Sequence, residues 1–359
     1  MKRIFLATLA LLVFASCSNN DDETNIAIEG SDARLNVSVK SPVLGKAAGI
    51  SVASDQVNNF KVFVTDSSGE IAWVAYSNNG ANLTGQNAVP VATNAQHVFV
   101  IANAGDIAIT TKTGLDAYIA NLGNAGAGSQ TAMRWATGST STPLSFTQSG
   151  DDFTAIANIS LTFISARITL KINNSMTGYD GTASDGSLVL KNVSVLNARS
   201  QSKLFGSNLL VSPKLYLSGL DGSSFSIWPD PSVVTLSSDL KDDIAANDFS
   251  STYYYYIFEN DASSSSQFPT IITLVGEFNG ENVYYPIHLA DYEQWSSGSN
   301  SDGYNFIERG KSYDISLNLT VDPSNPGGTT DPSLPLITAN VEVIVTLTPW
   351  IPVVLEKEI

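Results

Sequence analysis

The clearest hairpin signal in this chain is the stretch Leu274-Val275-Gly276-Glu277-Phe278-Asn279-Gly280-Glu281-Asn282-Val283-Tyr284. β-Branched and aromatic residues, which favour strands, lie on both sides of its centre. Asn279 and Gly280 tolerate the positive φ angles that a two-residue type I′ turn requires. The stretch therefore predicts two antiparallel strands joined by a tight turn.

Similar strand patterns extend along the rest of the chain on both sides of this hairpin. Further strands are predicted at residues 35–39, 60–64, 71–76, 97–102, 156–163, 166–172, 187–195, 253–258, 312–321 and 339–348, and the hairpin strands at 270–278 and 282–289. Helical signals are few, and we expect only short helices at residues 115–122 and 237–249. Many strands at short spacing with Gly, Asn and Ser turns indicate an all-β protein built from β-sandwiches.

The amino terminus has the pattern of a secretory signal. Lys2 and Arg3 precede an apolar run of about a dozen residues, which is shorter than the ~20 needed to span a membrane. Cys17, the only cysteine among 359 residues, follows Phe14-Ala15-Ser16 at the expected cleavage point. This placement predicts a lipobox, with lipid attached to Cys17 and residues 1–16 removed. The alternative is an ordinary signal peptide with an incidental cysteine.

The acidic composition excludes some partners. The chain has 18 Lys and Arg residues against 34 Asp and Glu residues, and cleavage before Cys17 would leave 16 basic residues and a net charge of −18. A surface this acidic repels nucleic acid, whose binding depends on basic side chains that neutralise phosphates. We therefore expect no nucleic-acid partner.

The residues that usually carry catalysis are sparse. The two histidines, His97 and His288, lie in separate strand patterns, and no set of N and S ligands has the spacing of a zinc site. No Gly-x-Ser-x-Gly and no phosphate-binding glycine motif is present. We therefore predict a protein that is not an enzyme and uses no cofactor or metal. A run of four tyrosines, residues 253–256, is a weaker candidate for stacking on sugar, because alternate residues of a strand face opposite sides.

Three segments resemble the FimA/Mfa-type major fimbrillins of Bacteroidota, the subunits of type V pili. The first is the leader with residues 33–41, 44–48 and 57–64. The second is Lys191-Asn192-Val193-Ser194-Val195-Leu196-Asn197-Ala198-Arg199-Ser200 with Leu204-Phe205-Gly206. The third comprises residues 307–319, a proline-rich loop, and residues 341–348 followed by Trp350.

The resemblance implies two transthyretin-like β-sandwich domains in tandem, here expected at residues 47–206 and 207–359, after a propeptide at 17–46. It also implies a precursor anchored in outer-membrane lipid through Cys17, and later an extracellular pilus. In the family a trypsin-like protease cuts after an arginine, and the matching position here is Lys46, followed by Ala47.

The cut is expected to free a first strand that carries Leu35, Val37 and Val39. A strand from another copy, or from a related fimbrial subunit, would then fill the vacated groove, since strand addition restores both burial and backbone pairing. The candidate donor residues alternate along the last part of the chain: Val341, Val343, Val345, Leu347, Ile351, Val353 and Leu355. The alternative is that this last strand closes its own carboxy-terminal sheet.

Two other functions stay open at this point. A fimbrial tip or accessory adhesin would share the fold but would need no donor strand. A surface glycan-binding lipoprotein would use exposed tyrosines such as Tyr254 and Tyr256.

Overall fold

The computed structural model describes residues 32–40, 56–122, 134–182, 186–206, 209–222, 225–245, 248–261, 268–289, 306–334 and 341–349. The predicted Cys17, Lys46, Ala47, Ile351, Val353 and Leu355 sites lie outside these residues. None of the helices among the described residues has the length and apolar character needed to cross a membrane.

Strands dominate the described part of the chain, as expected of an all-β protein. In chain order they are β1 Ala33–Lys40, β2 Phe60–Thr65, β3 Ile71–Ser77, β4 Val89–Val91, β5 His97–Ala102, β6 Ile119–Asn121, β7 Ala136–Ser139, β8 Thr147–Ser149, β9 Asp152–Ser160, β10 Thr162–Phe163, β11 Ser165–Asn174 and β12 Leu188–Leu196. They continue as β13 Ala198–Arg199, β14 Gln201–Lys203, β15 Tyr216–Ser218, β16 Val234–Leu236, β17 Lys241–Asp243, β18 Thr252–Phe258, β19 Asn260–Asp261, β20 Ile271–Phe278, β21 Glu281–His288, β22 Phe306–Ile307, β23 Lys311–Leu319 and β24 Val341–Pro349. One α-helix, α1 Lys112–Ala117, and short 3₁₀ turns at Gly85–Asn87, Pro231–Val233 and Ser238–Leu240 accompany them in these residues.

Apart from β6, the strands up to Phe163 form two large sheets. Their orders are β4-β1-β9-β8 and β10-β7-β5-β2-β3. The two sheets approach closely at Gly138 on β7, because a Cβ atom there would lie 2.6 Å from Cγ2 of Ile159 on β9. Only glycine fits at such a contact without a shift of its neighbours.

The strands after Phe163 form a second pair of large sheets, ordered β18-β11-β23-β24 and β17-β12-β20-β21. The predicted hairpin is β20 and β21, which pair from Ile271↔His288 to Phe278↔Glu281. Asn279 and Gly280 have φ angles of 53° and 81°. These positive angles confirm the two-residue turn that the sequence predicts.

The division between the two pairs of sheets falls earlier than the sequence suggested. Strands β11 and β12 pair with β18, β23, β17 and β20, so sheet membership changes between Phe163 and Ser165 and not after Gly206. The loop after Gly206 instead separates β14, which pairs with β6, from β15, which joins β13 and β16 in a small sheet. Buried apolar side chains from both halves form one continuous core, which includes Leu35 and Leu317.

Two predicted elements near the first pair of sheets have different bounds in the structure. The helix expected at residues 115–122 begins earlier, at Lys112, where the Thr111 side chain accepts a hydrogen bond from the Gly114 backbone N–H. It ends at Ala117, because residues 119–121 pair with β14. The predicted strand at 156–163 is likewise split at Leu161 between β9 and β10.

No helix forms at residues 237–249 among those that are described. A 3₁₀ turn at Ser238–Leu240 leads into β17, which pairs with β12. Leu240 and Ile244 are both buried, and their four-residue spacing is typical of one face of a helix. Pairing with a distant strand overrode this local signal.

Candidate functional site

The candidate site is the groove that β1 occupies in the first sheet. β1 runs parallel to β9 along its whole length, from Ala33↔Phe153 to Lys40↔Ser160. On its other side it pairs antiparallel with β4, from Ala33↔Val91 to Leu35↔Val89. The predicted removable strand therefore lies between two neighbours and not at the edge of its sheet.

On the β4 side of the groove, the pairing with β1 is discontinuous, because the Gly85–Asn87 turn separates β4 from residues 82–83. Val37 bridges Leu83, with its N–H donating to the Leu83 carbonyl at 2.8 Å and its carbonyl accepting from the Leu83 N–H at 3.0 Å. The Val39 N–H donates to Oδ1 of Asn82 at 2.9 Å. In return, the Gly85 N–H donates to Oδ1 of Asn36 at 2.9 Å. Side chains thus extend the ladder where β4 ends.

The inward side chains of β1 belong to the core. Leu35 and Val37 are 0% exposed, and Val39 is partly buried against the same core. Burying each such aliphatic side chain contributes about 1.5–3 kcal/mol before ordering losses. Loss of β1 would therefore expose apolar surface and leave the facing backbone groups of β9 and β4 without partners, which is the condition that favours strand addition.

The described part of the predicted donor lies on a different sheet. β24, which carries Val341, Val343, Val345 and Leu347, pairs antiparallel with β23 from Lys311↔Pro349 to Leu319↔Val341. It is the last strand of that sheet, with no further strand on its outer side among the described residues. The structure thus has β24 docked on its own carboxy-terminal sheet, which is the alternative that the sequence left open.

The two histidines lie in different sheets. His97 begins β5, and His288 ends β21. The Nε2–H of His288 donates to the Ser333 carbonyl at 3.0 Å, and burial lowers the pKa of this imidazole from its usual 6.5 to about 4. His288 therefore holds the loop after β23 as a neutral ring. Among the described residues no group of three or more His, Cys, Asp or Glu side chains has the geometry of a metal site.

The four tyrosines of β18 do not form a sugar-stacking surface. Tyr253 and Tyr255 are buried, and Tyr256, which the glycan-binding hypothesis needs at the surface, is 1% exposed. Tyr254 alone is partly exposed. Because β18 packs both of its faces, the hypothesis of a tyrosine platform at Tyr254 and Tyr256 is wrong.

Sequence reasoning missed a buried ion pair within the second half, between Arg309 and Glu259. Nη2 and Nε of Arg309 lie 2.8 Å and 3.2 Å from the two carboxylate oxygens of Glu259. Nη2 also donates to Oγ of Ser202 and to the Lys203 carbonyl, both at 2.7 Å. Since β14, which contains Ser202, pairs with β6 of the first half, this cluster lies next to a contact between the halves. The one available signal in the sequence is Arg309 itself, a charged residue in the turn that precedes β23.

The matching family model and the curated relative are both described as major fimbrial subunits. Residues 165–350 match the family model described as FimA-like major fimbrial subunit protein, C-terminal domain. The chain is 27% identical over 188 residues to the major fimbrium subunit FimA type-4 of Porphyromonas gingivalis. That match spans 44% of this chain and 46% of the relative, so the chain spans about half the length of the curated relative.

Two solved structures share the fold over most of the chain. A protein from Bacteroides eggerthii assigned to cell adhesion is 25% identical, with a TM-score of 0.66 over 90% of this chain and 97% of that one. A fimbrilin from P. gingivalis W83 is 19% identical, with a TM-score of 0.65 over 90% of this chain and 99% of that one.

Proposed function

Because this chain belongs to the FimA-like major fimbrial subunit family, we propose that it is a structural, non-enzymatic subunit of a cell-surface pilus. Its two pairs of sheets are proposed to be tandem transthyretin-like sandwiches, the first around β1 and the second around β11 and β23. The partners are other copies of the chain or related fimbrial subunits.

The proposed route to the surface begins with the leader. The precursor is lipidated on Cys17 and held in the outer membrane. A trypsin-like protease then cuts between Lys46 and Ala47, which detaches the lipid together with β1. The subunit without its first strand enters the extracellular pilus.

One observation carries this proposal. β1 is the only strand between β4 and β9 in the described residues, and it fills its groove with Leu35 and Val37 at 0% exposure. The Lys46 cleavage point follows this strand in the sequence. Cleavage there would allow this inner strand to leave its sheet. An apolar groove eight residues long would then be open, because β1 pairs with β9 over its full length. Donor residues from β24 and from positions 351, 353 and 355 of another copy would refill it by strand addition. Such head-to-tail contacts do not close on themselves, so they yield filaments.

The test is controlled proteolysis of the purified precursor. A trypsin-like protease should cut after Lys46, and the cut protein should then form SDS-resistant ladders. The matched control is Lys46→Gln, which should remain monomeric under the same treatment, since Gln removes the basic side chain that the protease reads. Cut protein that stays monomeric at high concentration would refute the proposed assembly.

A tip or accessory subunit is the second candidate. The docking of β24 on β23 favours it, because a terminal subunit would keep its last strand. Removal of residues 341–359 separates the two roles. A stalk subunit should no longer extend a ladder when it lacks this segment, whereas a tip subunit should still accept a donor from another subunit.

A further inference from the structure

The loop after β23 is hydrogen-bonded to the second half of the chain. Residues 321–334 form this loop, which we call the strap, and six residues separate it from β24. Its first two prolines, Pro323 and Pro326, are buried. The Leu188 N–H at the start of β12 donates to the Pro323 carbonyl at 2.9 Å, and the Tyr285 hydroxyl donates to the Pro326 carbonyl at 3.1 Å. The strap therefore packs on the sheet that contains β12 and β21.

The middle of the strap pairs with the outer edge of β21. Among the described residues β21 is the last strand of its sheet, with β20 on its inner side. The N–H of Tyr284 donates to the Thr329 carbonyl at 2.9 Å, and its carbonyl accepts from the Thr329 N–H at 3.0 Å. Backbone groups alternate sides along a strand, so Pro286 also faces this outer edge, where it has no N–H to donate. The strap and this proline together close an edge that could otherwise accept a foreign strand.

A polar cluster anchors the far end of the strap. The Ser226 N–H donates to Oδ2 of Asp331 at 2.9 Å. The Ile227 N–H donates to Oγ of Ser333, also at 2.9 Å. Ser333 is 0% exposed, and its carbonyl accepts the bond from His288 described above. Each partner lies in the second half outside β24, so none of these bonds depends on β24.

We propose that the strap stays on its own subunit when β24 leaves β23, so that the donor arm begins after Leu334. The inference rests on the proposed function, since strand exchange is what would move β24. Departure of β24 breaks its ladder with β23 but none of the hydrogen bonds that join the strap to β12, β21 and residues 226–227.

Retention of the strap also has a consequence for the specificity of assembly. A strap that left with β24 would leave the N–H and carbonyl of Tyr284 unpaired on the edge of β21. An added strand could then bind there as well. A strap that stays in place prevents strand addition at β21 while the β1 groove is being filled.

Two disulfide locks test this proposal in the full chain with Cys17→Ser, so that the introduced cysteines are the only ones. The strap lock is Tyr284→Cys with Thr329→Cys, and the matched β24 lock is Ser316→Cys with Ile344→Cys. Facing residues of an antiparallel pair have Cα atoms about 4.5–5.5 Å apart, which is within the reach of a disulfide bond. The second pair leaves every candidate donor residue in place.

Each variant is oxidised, cut after Lys46 and assayed for SDS-resistant ladders with and without reductant. The oxidised strap lock should form ladders at the rate of its reduced form, which controls for the substitutions themselves. The oxidised β24 lock should stay monomeric and should form ladders on reduction. In ladders of the Cys17→Ser chain, amide exchange at Tyr284 and Thr329 should remain as slow as in the uncut protein.

Two results would overturn the inference and leave the proposed function intact. These are ladders that the strap lock forms only after reduction, and faster amide exchange at Tyr284 and Thr329 after assembly. If the Cys17→Ser chain forms no ladders, or if the oxidised β24 lock still forms them, the proposed donation of β24 fails and the inference falls with it. The two kinds of failure are therefore distinguishable.

Discussion

At the scale of single residues, His288 makes the stability of the protein depend on pH. Its folded pKa of about 4 lies below the usual 6.5, so the unfolded chain binds a proton more readily than the folded chain. The stability that the neutral ring provides is complete above about pH 6.5 and is lost as the pH falls toward 4. The loss is on the order of 3 kcal/mol, since each pKa unit corresponds to about 1.4 kcal/mol.

His288→Gln should remove this pH dependence, because glutamine keeps a donor for the Ser333 carbonyl and has no proton to gain. Urea unfolding at pH 4.5 to 8 measures the effect. The difference in free energy of unfolding between variant and natural chain should be constant above pH 7 and should shift in favour of the variant below pH 6. Parallel curves over the whole range would contradict the assignment.

At the scale of elements, β1 is expected to be a main source of stability before cleavage. Leu35→Ala should lower the free energy of unfolding by about 2–5 kcal/mol, the range for truncating a buried leucine. Chemical denaturation of the uncut precursor measures it. Asn36→Ala is the matched control on the outward face. It loses only the bond from the Gly85 N–H, so a cost near 1 kcal/mol is expected. Equal effects of the two substitutions would show that β1 does not anchor the core.

Elements with local signals could be predicted from the sequence, and those set by distant partners could not. Asn279-Gly280 sufficed for the β20–β21 hairpin, and alternation placed Leu35 and Val37 on one face of a strand. Nothing near β1 indicates that it pairs with β9, more than a hundred residues away. The Glu259–Arg309 pair joins residues 50 positions apart, and Leu240 and Ile244 are spaced as in a helix although β12 holds this region as a strand. Pairing between segments so far apart in the chain produces no periodic pattern in a single sequence.

At the scale of the whole molecule, charge opposes the association of copies. The full chain has a net charge of −16, and a cut after Lys46 removes five basic and five acidic residues, so this charge is unchanged. Salt screens such repulsion, because the Debye length falls from about 30 Å at 0.01 M to about 8 Å at 0.15 M. Polymerisation of the cut subunit, followed by light scattering, should therefore be faster at the higher ionic strength.

The uncut chain is the control for this measurement and should scatter weakly at both salt concentrations. A rate that falls as salt is added would mean that opposite charges on the two copies guide their encounter. In that case the acidic surface would not be the barrier to assembly.

The backbone from β9 to β11 also has a mechanical consequence. Residues 152–174 run from the edge of the β1 groove directly into β11, which pairs with β23 over eight residues. In the proposed filament, tension that enters at the groove travels along covalent bonds into β11, then across its ladder with β23, and on toward the donated β24. Because that ladder is loaded along its strands, many hydrogen bonds must break together before a subunit yields, and a fibre of such subunits would resist pulling without a single disulfide bond.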